Sequence, residues 1–260
     1  MEKANLELWN KTWNKLSGNI VITDMDKLIF KELIRYIKVR DKEIIELGCG
    51  RGILSFLMAN NGAKTVNLVD FSEEALNIAR KLFVDLNNVE FIKSDIFHFD
   101  ELKKYDIVFS SGVAEHFADK LREEIIYRHL RMTKDIAIIV VPARPHFNTI
   151  RHRKRRVIAL YGWQYSFSKE EINKIIRKYG DYDIIHNQRF YPLYGVNLFE
   201  LLSIDGKSIF FRLWNFALHL IDAILYRIRF YKFFNMILSM FSNKLGGLLI
   251  VILKRSANMA

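Results

Sequence analysis

The sequence predicts an α/β fold, a mostly parallel sheet with helices on both of its faces. Three observations predict it. Short apolar runs rich in Val and Ile alternate with amphipathic segments along most of the 260 residues, a pattern typical of strands that alternate with helices. The run 43–47 is followed by a glycine at every second position, which indicates a strand, a tight turn and a helix start. A chain of this length can also bury one substantial core, so we expect a single domain with additions.

Residues 1–40 are predicted to form an N-terminal helical cap. Residues 1–14 are polar, with Trp9 and Trp13 on one helical face. The helix is expected to pack over the sheet edge or over the mouth of a ligand site. Core packing is the expected role of the two rings, and a lid is the alternative. The segment lacks the apolar run of a leader peptide, and the single cysteine, Cys49, fits a reducing compartment. We therefore expect a cytoplasmic protein.

The turn after the first strand is the most informative part of the chain. Gly48, Gly50 and Gly52 follow Glu46 in the order E-x-G-x-G-x-G, and Ile53 stands where the dinucleotide fingerprint would require a third glycine. The missing glycine and the carboxylate beside the turn both disfavour a pyrophosphate. They favour a nucleoside ligand that carries positive charge.

Acidic residues follow the next two strands. The second strand ends in Asp70, which is followed by Phe71, and the third strand, residues 89–93, is followed by Asp95 and Ile96. A carboxylate at the end of the strand after a glycine turn is typical of a site for the ribose of a nucleoside. The sequence therefore predicts a nucleoside site at one edge of the sheet.

The remaining elements continue the alternation of strands and helices. They are a fourth strand with the segment after it, a fifth strand, a late helix start with Ser168 as its N-cap, and two last strands. These elements are assigned to residues 104–117, 135–142, 166–171, 183–185 and 247–253.

These motifs, in this order, resemble the class I S-adenosylmethionine-dependent methyltransferases. The resemblance covers residues 40–190 and the last strand. It implies a Rossmann-like, doubly wound, mostly parallel seven-stranded sheet with a helical insertion before the last strand. It also implies three parts of the chain: an N-terminal cap, a cofactor-binding domain, and a hydrophobic and basic insertion. These are residues 1–40, residues 41–193 with 246–256, and residues 194–245.

The resemblance implies S-adenosyl-L-methionine as the cofactor and gives each matched position a role. The glycine loop and Glu46 are expected to hold the methionine portion, Asp70 the ribose, and Asp95 with Ile96 the adenine. The predicted cofactor-binding residues are Glu46, Gly48, Cys49, Gly50, Gly52, Asp70, Phe71, Asp95, Ile96 and Ser111.

His116 is the predicted general base. It follows the fourth strand, where the resemblance places residues that face the transferred methyl group, and imidazole can accept a proton near neutral pH. The alternative is that Glu115 and His116 only start or cap the next helix. His146 and His152 are weaker candidates. No set of His, Cys, Asp and Glu has the spacing of metal ligands, so no metal site is predicted.

Charge is distributed unevenly along the chain. Residues 1–140 contain 21 Lys and Arg against 22 Asp and Glu, whereas residues 141–260 contain 19 against 7. Five of the six residues 151–156 are Lys or Arg, and this basic run either binds phosphate groups or forms the solvated face of a helix. The asymmetry predicts an anionic partner: a phosphorylated substrate, a membrane surface or RNA.

The insertion, residues 194–245, is rich in large apolar side chains. Only residues 213–226 lie between Arg212 and Arg227, which is short of the ~20 apolar residues that a membrane span requires. Apolar bulk flanked by arginines favours an interfacial helix on an anionic membrane, and a lid or a homodimer surface is the alternative. The polar residues of this segment lie in one narrow helical stripe: Asn215, His219, Asp222, Tyr226 and Arg229.

The predicted function is transfer of a methyl group from S-adenosylmethionine to an oxygen atom of a small or lipid-linked acceptor. The acceptor is expected to carry a phosphate group. The general similarity is to O-methyltransferases of the quinone and glycan type. The expected place of action is the cytoplasm, at the inner face of the membrane. An RNA methyltransferase, favoured by charge alone, is the alternative among enzymes, with nucleic acid the less favoured partner. A non-catalytic nucleoside-binding partner protein is the alternative outside enzymes.

Overall fold

The computed structural model describes residues 5–18, 20–99, 103–146, 151–191, 199, 202–204, 208–239, 244 and 246–256. Within these residues, strands form one sheet of seven in the order β3-β2-β1-β4-β5-β7-β6. The strands are β1 (Glu43–Leu47), β2 (Thr65–Asp70), β3 (Val89–Lys93), β4 (Tyr105–Ser111), β5 (Thr133–Pro142), β6 (Tyr182–Phe190) and β7 (Leu248–Arg255).

Helices connect the strands and flank the sheet. A single 3₁₀ turn, Ala114–His116, follows β4. The α-helices are α1 (Leu6–Lys15), α2 (Asp24–Leu33), α3 (Ile53–Asn60), α4 (Glu73–Leu82), α5 (Asp119–Met132), α6 (Arg155–Tyr161), α7 (Lys169–Arg177), α8 (Ile209–Arg227) and α9 (Phe230–Ser239).

The sheet is parallel except at one strand. β1 pairs in parallel with β2 and β4, β2 with β3, and β4 with β5, whereas β7 runs antiparallel to both β5 and β6. The predicted fold class is confirmed. The chain order changes direction between β1 and β4, and in open α/β sheets ligands bind outside the carboxyl ends of the strands at such a switch point.

The core lies on both faces of the sheet. Ile44 of β1 packs in the cluster that includes residues of α2, α3 and α4, while its neighbour Ile45 packs in the cluster formed with α5 and α7. Successive strand residues point to opposite faces, so a sheet covered on both sides needs apolar residues at nearly every position. This requirement explains the continuous apolar runs of the sequence.

The N-terminal region contains two capped helices. The side chain of Asn5 accepts a hydrogen bond from Leu8 N at 3.1 Å, and Thr23 and Asp26 form a capping box at the start of α2. The predicted helical cap therefore contains α1 and α2. Residues 1–4 and 19 lie outside the described residues, and the division of the chain into three parts stays a prediction.

Three residues of the polar stripe predicted in the insertion contact the segment before α8. Asn215 exchanges hydrogen bonds with the backbone of Ile204, at 3.0 Å from its N–H and 2.8 Å to its carbonyl. Asp222 accepts from Phe199 N at 2.7 Å, and the His219 ring stacks on the Phe199 ring with centroids 3.7 Å apart. These three residues thus hold Phe199 and Ile204, whereas Tyr226 and Arg229 of the stripe are exposed. Insertion residues 194–198, 200–201, 205–207, 240–243 and 245 lie outside the described residues.

Helices α8 and α9 together are called the hairpin below. The outer face of the hairpin is apolar and exposed. α8 has 19 residues and a mean hydropathy of 1.3, and only 11% of it is buried. It is the one described helix whose length and composition would allow it to cross a membrane. The helix is longer than the uncharged stretch 213–226 because it begins at Ile209 and includes Arg212 and Arg227. Exposed residues of the hairpin include Phe210, Leu213, Phe216, Leu220, Ile224 and Phe233.

Candidate functional site

A cavity of about 540 Å³ opens at the carboxyl ends of β1, β2 and β4, and is called the first cavity below. Its volume falls in the range of small-ligand sites. Its walls come from the glycine loop, the ends of β2, β3 and β4, the 3₁₀ turn, and parts of α1, α2, α6 and α8. The lining residues are Trp9, Trp13, Met25, Gly48, Cys49, Gly50, Arg51, Asp70, Phe71, Ser94, Asp95, Ile96, Ser111, Gly112, Val113, Glu115, His116, Phe117, Arg151, Tyr161, Gln164 and Tyr226.

Two glycines shape the floor of the first cavity. Gly48 and Gly50 have φ angles of 68° and 53°, in the left-handed region that side chains disfavour. A Cβ atom on Gly48 would lie 2.7 Å from Val113 Cγ2, and one on Gly50 would lie 2.8 Å from Trp13 Cη2. Because neither position carries a side chain, a ligand can approach the loop backbone closely.

Gly52 and Glu46 are predicted cofactor contacts that do not line the first cavity. A Cβ atom on Gly52 would collide with Leu68 and lie 3.1 Å from Phe83 Cε2, so core packing requires this glycine. The Glu46 carboxylate points behind the loop, where it accepts a hydrogen bond from Ser55 Oγ at 2.6 Å. Both residues support the turn from behind, and their predicted contact with the cofactor stays a prediction.

Glu46 is nevertheless part of the electrostatics of the site. The side chain is buried, and this burial, with the charge of Asp70 adding to it, raises its pKa to about 8. The hydrogen bond from Ser55 acts in the opposite direction and is the weaker effect. At neutral pH and without a compensating cation, Glu46 therefore favours its protonated form.

Asp70 ties the glycine loop to the next turn. One carboxylate oxygen accepts from Gly50 N and the other from Ser72 N, each at 2.9 Å. The side chain is buried, and burial raises its pKa to about 6 in spite of these hydrogen bonds. A carboxylate has about four lone-pair sites, so two remain for ligand hydroxyl groups. This geometry is compatible with the predicted ribose role.

The wall at the end of β3 contains the predicted adenine residues. Asp95 accepts from Phe97 N at 2.9 Å, and its second oxygen lies 3.1 Å from His98 Nδ1. Ile96 is buried beside it. Cys49 also reaches the wall, but burial raises the pKa of its thiol well above the usual value, so it fills space as an unreactive thiol. Phe71 and Ser111 line the cavity as predicted.

The 3₁₀ turn brings two titratable side chains to the wall. Burial lowers the pKa of His116 to about 4, and its ring meets the Trp9 ring edge-on with centroids 4.8 Å apart. Burial raises the pKa of Glu115 to about 8, and its Oε2 atom is buried without a hydrogen-bond partner among the described residues. At pH 7 both groups are therefore uncharged. Glu115 is a site residue that the sequence reasoning treated only as a helix start.

Three aromatic rings of α1 and α6 stand together in the wall of the first cavity. Trp9 stacks with Trp13 at a centroid distance of 5.9 Å and lies 6.4 Å from the Tyr161 ring. The Thr12 hydroxyl donates to the carbonyl of Leu160 and so fastens α1 to α6. The expectation that both tryptophans pack in the core is wrong, because α1 lies across the cavity and not on the sheet.

Four further wall residues carry no local sequence signal for this role: Met25, Arg151, Gln164 and Tyr226. They come from α2, the segments on either side of α6, and α8, and only the packing of distant segments brings them together. Arg151 belongs to the basic run, and its guanidinium lies 5.8 Å from the Tyr161 ring centroid.

The basic run 151–156 is divided between several tasks, so neither predicted alternative describes it as a whole. Lys154 is buried and donates to the carbonyl and, at 3.0 Å, to the hydroxyl of Ser203. Arg156 donates to the same hydroxyl at 2.9 Å and lies 4.5 Å from the Phe199 ring centroid. These two cations hold the segment that the polar stripe of α8 also contacts. Residues 147–150, before this run, lie outside the described residues.

Comparison with known proteins decides the class of the site. Residues 38–143 match a family model described as a methyltransferase domain. The protein contains a class I S-adenosylmethionine-dependent methyltransferase domain. The predicted family, enzyme class and cofactor are confirmed at the level of this domain. The matched segment includes the glycine loop, the ends of β2 and β3, and the 3₁₀ turn.

Sequence relatives of the methyltransferase domain act on different acceptors. The ubiquinone biosynthesis O-methyltransferase of Neisseria meningitidis serogroup C is 30% identical over 115 residues, 42% of this chain and 48% of that protein. The ribosomal protein L11 methyltransferase of Ruminiclostridium cellulolyticum is 35% identical over 99 residues, 36% of this chain and 31% of that protein. The chain thus spans half or less of the length of these relatives.

Solved methyltransferases share the fold over nearly the whole chain. Magnesium protoporphyrin IX methyltransferase from Synechocystis PCC 6803, with bound SAH, has a TM-score of 0.60 at 15% identity and covers 96% of this chain and 98% of its own. A putative methyltransferase from Haloferax volcanii, in complex with the Trm112 activator, has a TM-score of 0.62 at 14% identity and covers 98% and 100%. At this level of identity, the likeness establishes the fold alone.

Proposed function

We propose that the chain is an enzyme that transfers the methyl group of S-adenosylmethionine to an oxygen of a small or lipid-linked acceptor that carries an anionic group. The observation that carries this proposal is the composition of the first cavity. A bare glycine loop and two strand-end carboxylates form one part of its wall, and a neutral imidazole lies on the same wall.

The charges around the first cavity fit a cationic ligand. Glu46, Asp70 and Glu115 are buried, and burial is the first cause of the raised pKa of each. A ligand with an ammonium and a sulfonium group would favour their ionised forms. When bound, S-adenosylmethionine supplies an electrophilic methyl group whose leaving group needs no protonation. Gly48, Gly50 and Cys49 would hold its methionine portion.

The protein then has to align the acceptor, exclude water and remove a proton. Trp9, Trp13 and Tyr161 exclude water by covering the mouth of the cavity. His116, neutral at pH 7, accepts the proton of the acceptor hydroxyl at a ring nitrogen. Glu115, the adjacent buried carboxyl, is positioned to hydrogen-bond to the acceptor through its unpartnered Oε2 atom.

The lipid-linked class of acceptor is favoured by the position of the hairpin. Tyr226 of α8 lines the first cavity, so the exposed apolar surface of the hairpin is continuous with the wall of the site. The exposed cations Arg212, Arg227 and Arg229 flank that surface and are complementary to anionic headgroups. We place the protein in the cytoplasm, at the inner face of the membrane. A homodimer formed through the hairpin is the competing arrangement.

The experiment that tests the proposed function has two steps. Calorimetry with S-adenosylmethionine and S-adenosylhomocysteine measures cofactor binding, and absence of binding of either would overturn the proposal. Incubation of the protein with methyl-labelled donor and a host extract then identifies the acceptor class. We expect label in the lipid or small-molecule fraction. Label that is released only by ribonuclease would favour the RNA methyltransferase, and binding without any transfer would favour a non-catalytic partner protein.

The role of His116 has its own test. Because proton removal by a positioned base contributes about 10²–10⁴-fold, His116→Asn should lower label incorporation by at least ~10²-fold. Its affinity for S-adenosylhomocysteine should stay within about threefold of the wild type. His219→Asn, on the hairpin and outside the first cavity, is the matched control and should leave transfer unchanged. Wild-type incorporation by His116→Asn would exclude the role.

A further inference from the structure

A second cavity, of about 560 Å³, lies beside the first, and none of the functions above uses it. Its wall is formed by the start of α5, the loop after β5, the segment before α7, and α7 itself. Gln164 lines both cavities, so the two cavities adjoin at this residue. A molecule that extends past Gln164 would occupy both cavities.

The wall of the second cavity is strongly cationic. Five cationic side chains line it, against two carboxylates, for a net charge of +3. They are Arg122, Arg144, Arg153, Lys174 and Lys178, with Glu123 and Glu171.

The two carboxylates do not neutralise this surplus. Glu171 already accepts from Arg122 Nε at 2.6 Å and from the Arg144 guanidinium at 2.8 Å. Glu123 accepts from Lys178 at 2.6 Å. Among the described residues, neither of the other two cations, Arg153 and Lys174, forms an ion pair. Lys174 lies near Glu123, which Lys178 already occupies. The positive charge of these two is therefore available to a ligand.

A buried imidazole supplies an independent indication. His152 is only 4% exposed and lines the cavity, with its Nδ1 atom 3.5 Å from Ser166 Oγ. Its Nε2 atom is buried and has no hydrogen-bond partner among the described residues. A buried nitrogen left unpaired is costly, and native proteins seldom leave one without a partner. An acceptor oxygen of a ligand in this cavity would satisfy it once the ligand displaces the side chains that cover Nε2.

We propose that the second cavity is the subsite for a phosphate group of the methyl acceptor, bound by Arg153, Lys174 and His152 Nε2–H. This inference rests on the proposed function for the identity of the molecule that carries the phosphate. A phosphate offers three or four acceptor oxygens and up to two negative charges. It therefore matches the surplus charge and the donors of the wall better than a single carboxylate does. Passing Gln164, the acceptor would place its hydroxyl in the first cavity and its phosphate in the second.

Calorimetry with inorganic phosphate tests the subsite without knowledge of the acceptor. We expect saturable binding to the wild-type protein, both alone and loaded with S-adenosylhomocysteine. The double substitution Arg153→Gln with Lys174→Gln should weaken phosphate binding at least tenfold. His152→Asn should weaken it several-fold, since it removes one donor but no permanent charge. The matched control is Arg177→Gln with Lys81→Gln, which removes the same charge from exposed positions outside both cavities.

Each result decides for or against the subsite. Cofactor binding without saturable phosphate binding would overturn the subsite and leave the proposed function intact. Equal weakening of phosphate binding in the double substitution and in its control would show a general effect of charge and would overturn the subsite. Acetate that competes as well as phosphate at equal ionic strength would overturn the assignment to phosphate. Retained affinity for S-adenosylhomocysteine in each variant shows that the variant is folded. Phosphate binding without cofactor binding would support the subsite and remove the proposed function.

Discussion

The glycines of one short turn have two different tasks at the scale of the single residue. Gly50 keeps the backbone bare at the first cavity and makes room for Trp13, whereas Gly52 makes room for Leu68 and Phe83 in the core. The same residue type in the same motif therefore serves binding at one position and packing at the other. Substitution by alanine should separate the two tasks.

Gly52→Ala should destabilise the protein because its new Cβ atom must displace Leu68 at a φ of 66°. Overpacking of this kind costs about 1–3 kcal/mol, and each kcal/mol lowers Tm by roughly 2–4 °C in a domain of about this size. Thermal unfolding measures the loss. At low temperature its affinity for S-adenosylhomocysteine should stay within about threefold of the wild type. Gly50→Ala should show the reverse pattern, with weak binding and a smaller change in Tm. Equal effects of the two substitutions would contradict this separation.

Glu46 should make the free energy of unfolding depend on pH. Burial raises its pKa from 4.5 to about 8, so the folded state keeps a proton that the unfolded state releases. This contribution to stability is fully present below pH 4.5 and is lost as pH rises towards 8. The Glu46→Gln variant has no carboxyl group to ionise at this position, so its free energy of unfolding does not fall in this way. The difference in Tm between Glu46→Gln and the wild type should therefore grow in favour of the variant from pH 5 to pH 8.5.

The control for the pH experiment is Glu90→Gln, which changes an exposed carboxyl on β3. Its difference from the wild type should stay constant across the same pH range. Saturating S-adenosylmethionine should reduce the difference seen with Glu46→Gln, because a bound cation favours the ionised carboxylate. A Glu46→Gln difference that is flat with pH would show that the folded carboxyl ionises freely.

The hairpin is the element whose two faces differ most. Contacts of Asn215, His219 and Asp222 hold its inner face against Phe199 and Ile204, and none of the described residues covers its outer face. Monomeric soluble proteins seldom expose continuous apolar surfaces of this kind. The proposed contact with an anionic membrane surface rests on this apolar face and on the three exposed arginines at 212, 227 and 229.

Flotation with vesicles that contain anionic lipid tests this element. We expect the protein to float at low salt and to be released as salt rises. Changing Arg212, Arg227 and Arg229 to Gln should weaken partitioning by about 100-fold, since each cation near the surface contributes ~1 kcal/mol. The control triple, Lys31→Gln, Lys81→Gln and Arg177→Gln, should still float. Protein that stays in the dense fraction and forms concentration-dependent dimers would favour the homodimer instead.

The first cavity joins elements from the whole molecule. Its wall takes residues from α1 near the start of the described chain and from α8 far along it, as well as from the sheet. A ligand in this cavity stabilises all these contacts together, because it binds the folded state and not the unfolded chain. Ligand binding should therefore raise the stability of the molecule as a unit.

S-adenosylhomocysteine at 100 times its Kd should add about 2.7 kcal/mol to the free energy of unfolding. At about 2–4 °C for each kcal/mol, Tm should rise by roughly 5–11 °C in one cooperative transition. Methionine at the same concentration should give no shift of this size, since it lacks the nucleoside. A rise limited to part of a two-step transition would show that the hairpin region unfolds separately from the sheet.

The sequence could predict what depends on neighbours along the chain. Strand β1, the glycine loop and Asp70 lie within about thirty residues, and their order alone predicts the nucleoside site. Met25, Gln164 and Tyr226 could not be placed there, because only tertiary packing brings their segments to the cavity. The inward position of Glu115 depends on a single 3₁₀ turn, whose register no periodic pattern reveals. The start of α8 at Ile209 likewise depends on a single residue, the N-cap Ser208.

The antiparallel strand β7 has a consequence for biosynthesis. β6 pairs with no described strand except β7, and β7 also covers the apolar edge of β5. About 60 further residues must leave the ribosome after β6 before β7 follows, which takes roughly 3–12 s at usual rates of translation. During this interval two strand edges wait unpaired while the apolar hairpin emerges between them. The nascent chain should therefore depend on chaperones, or on early contact with lipid, until the sheet is complete.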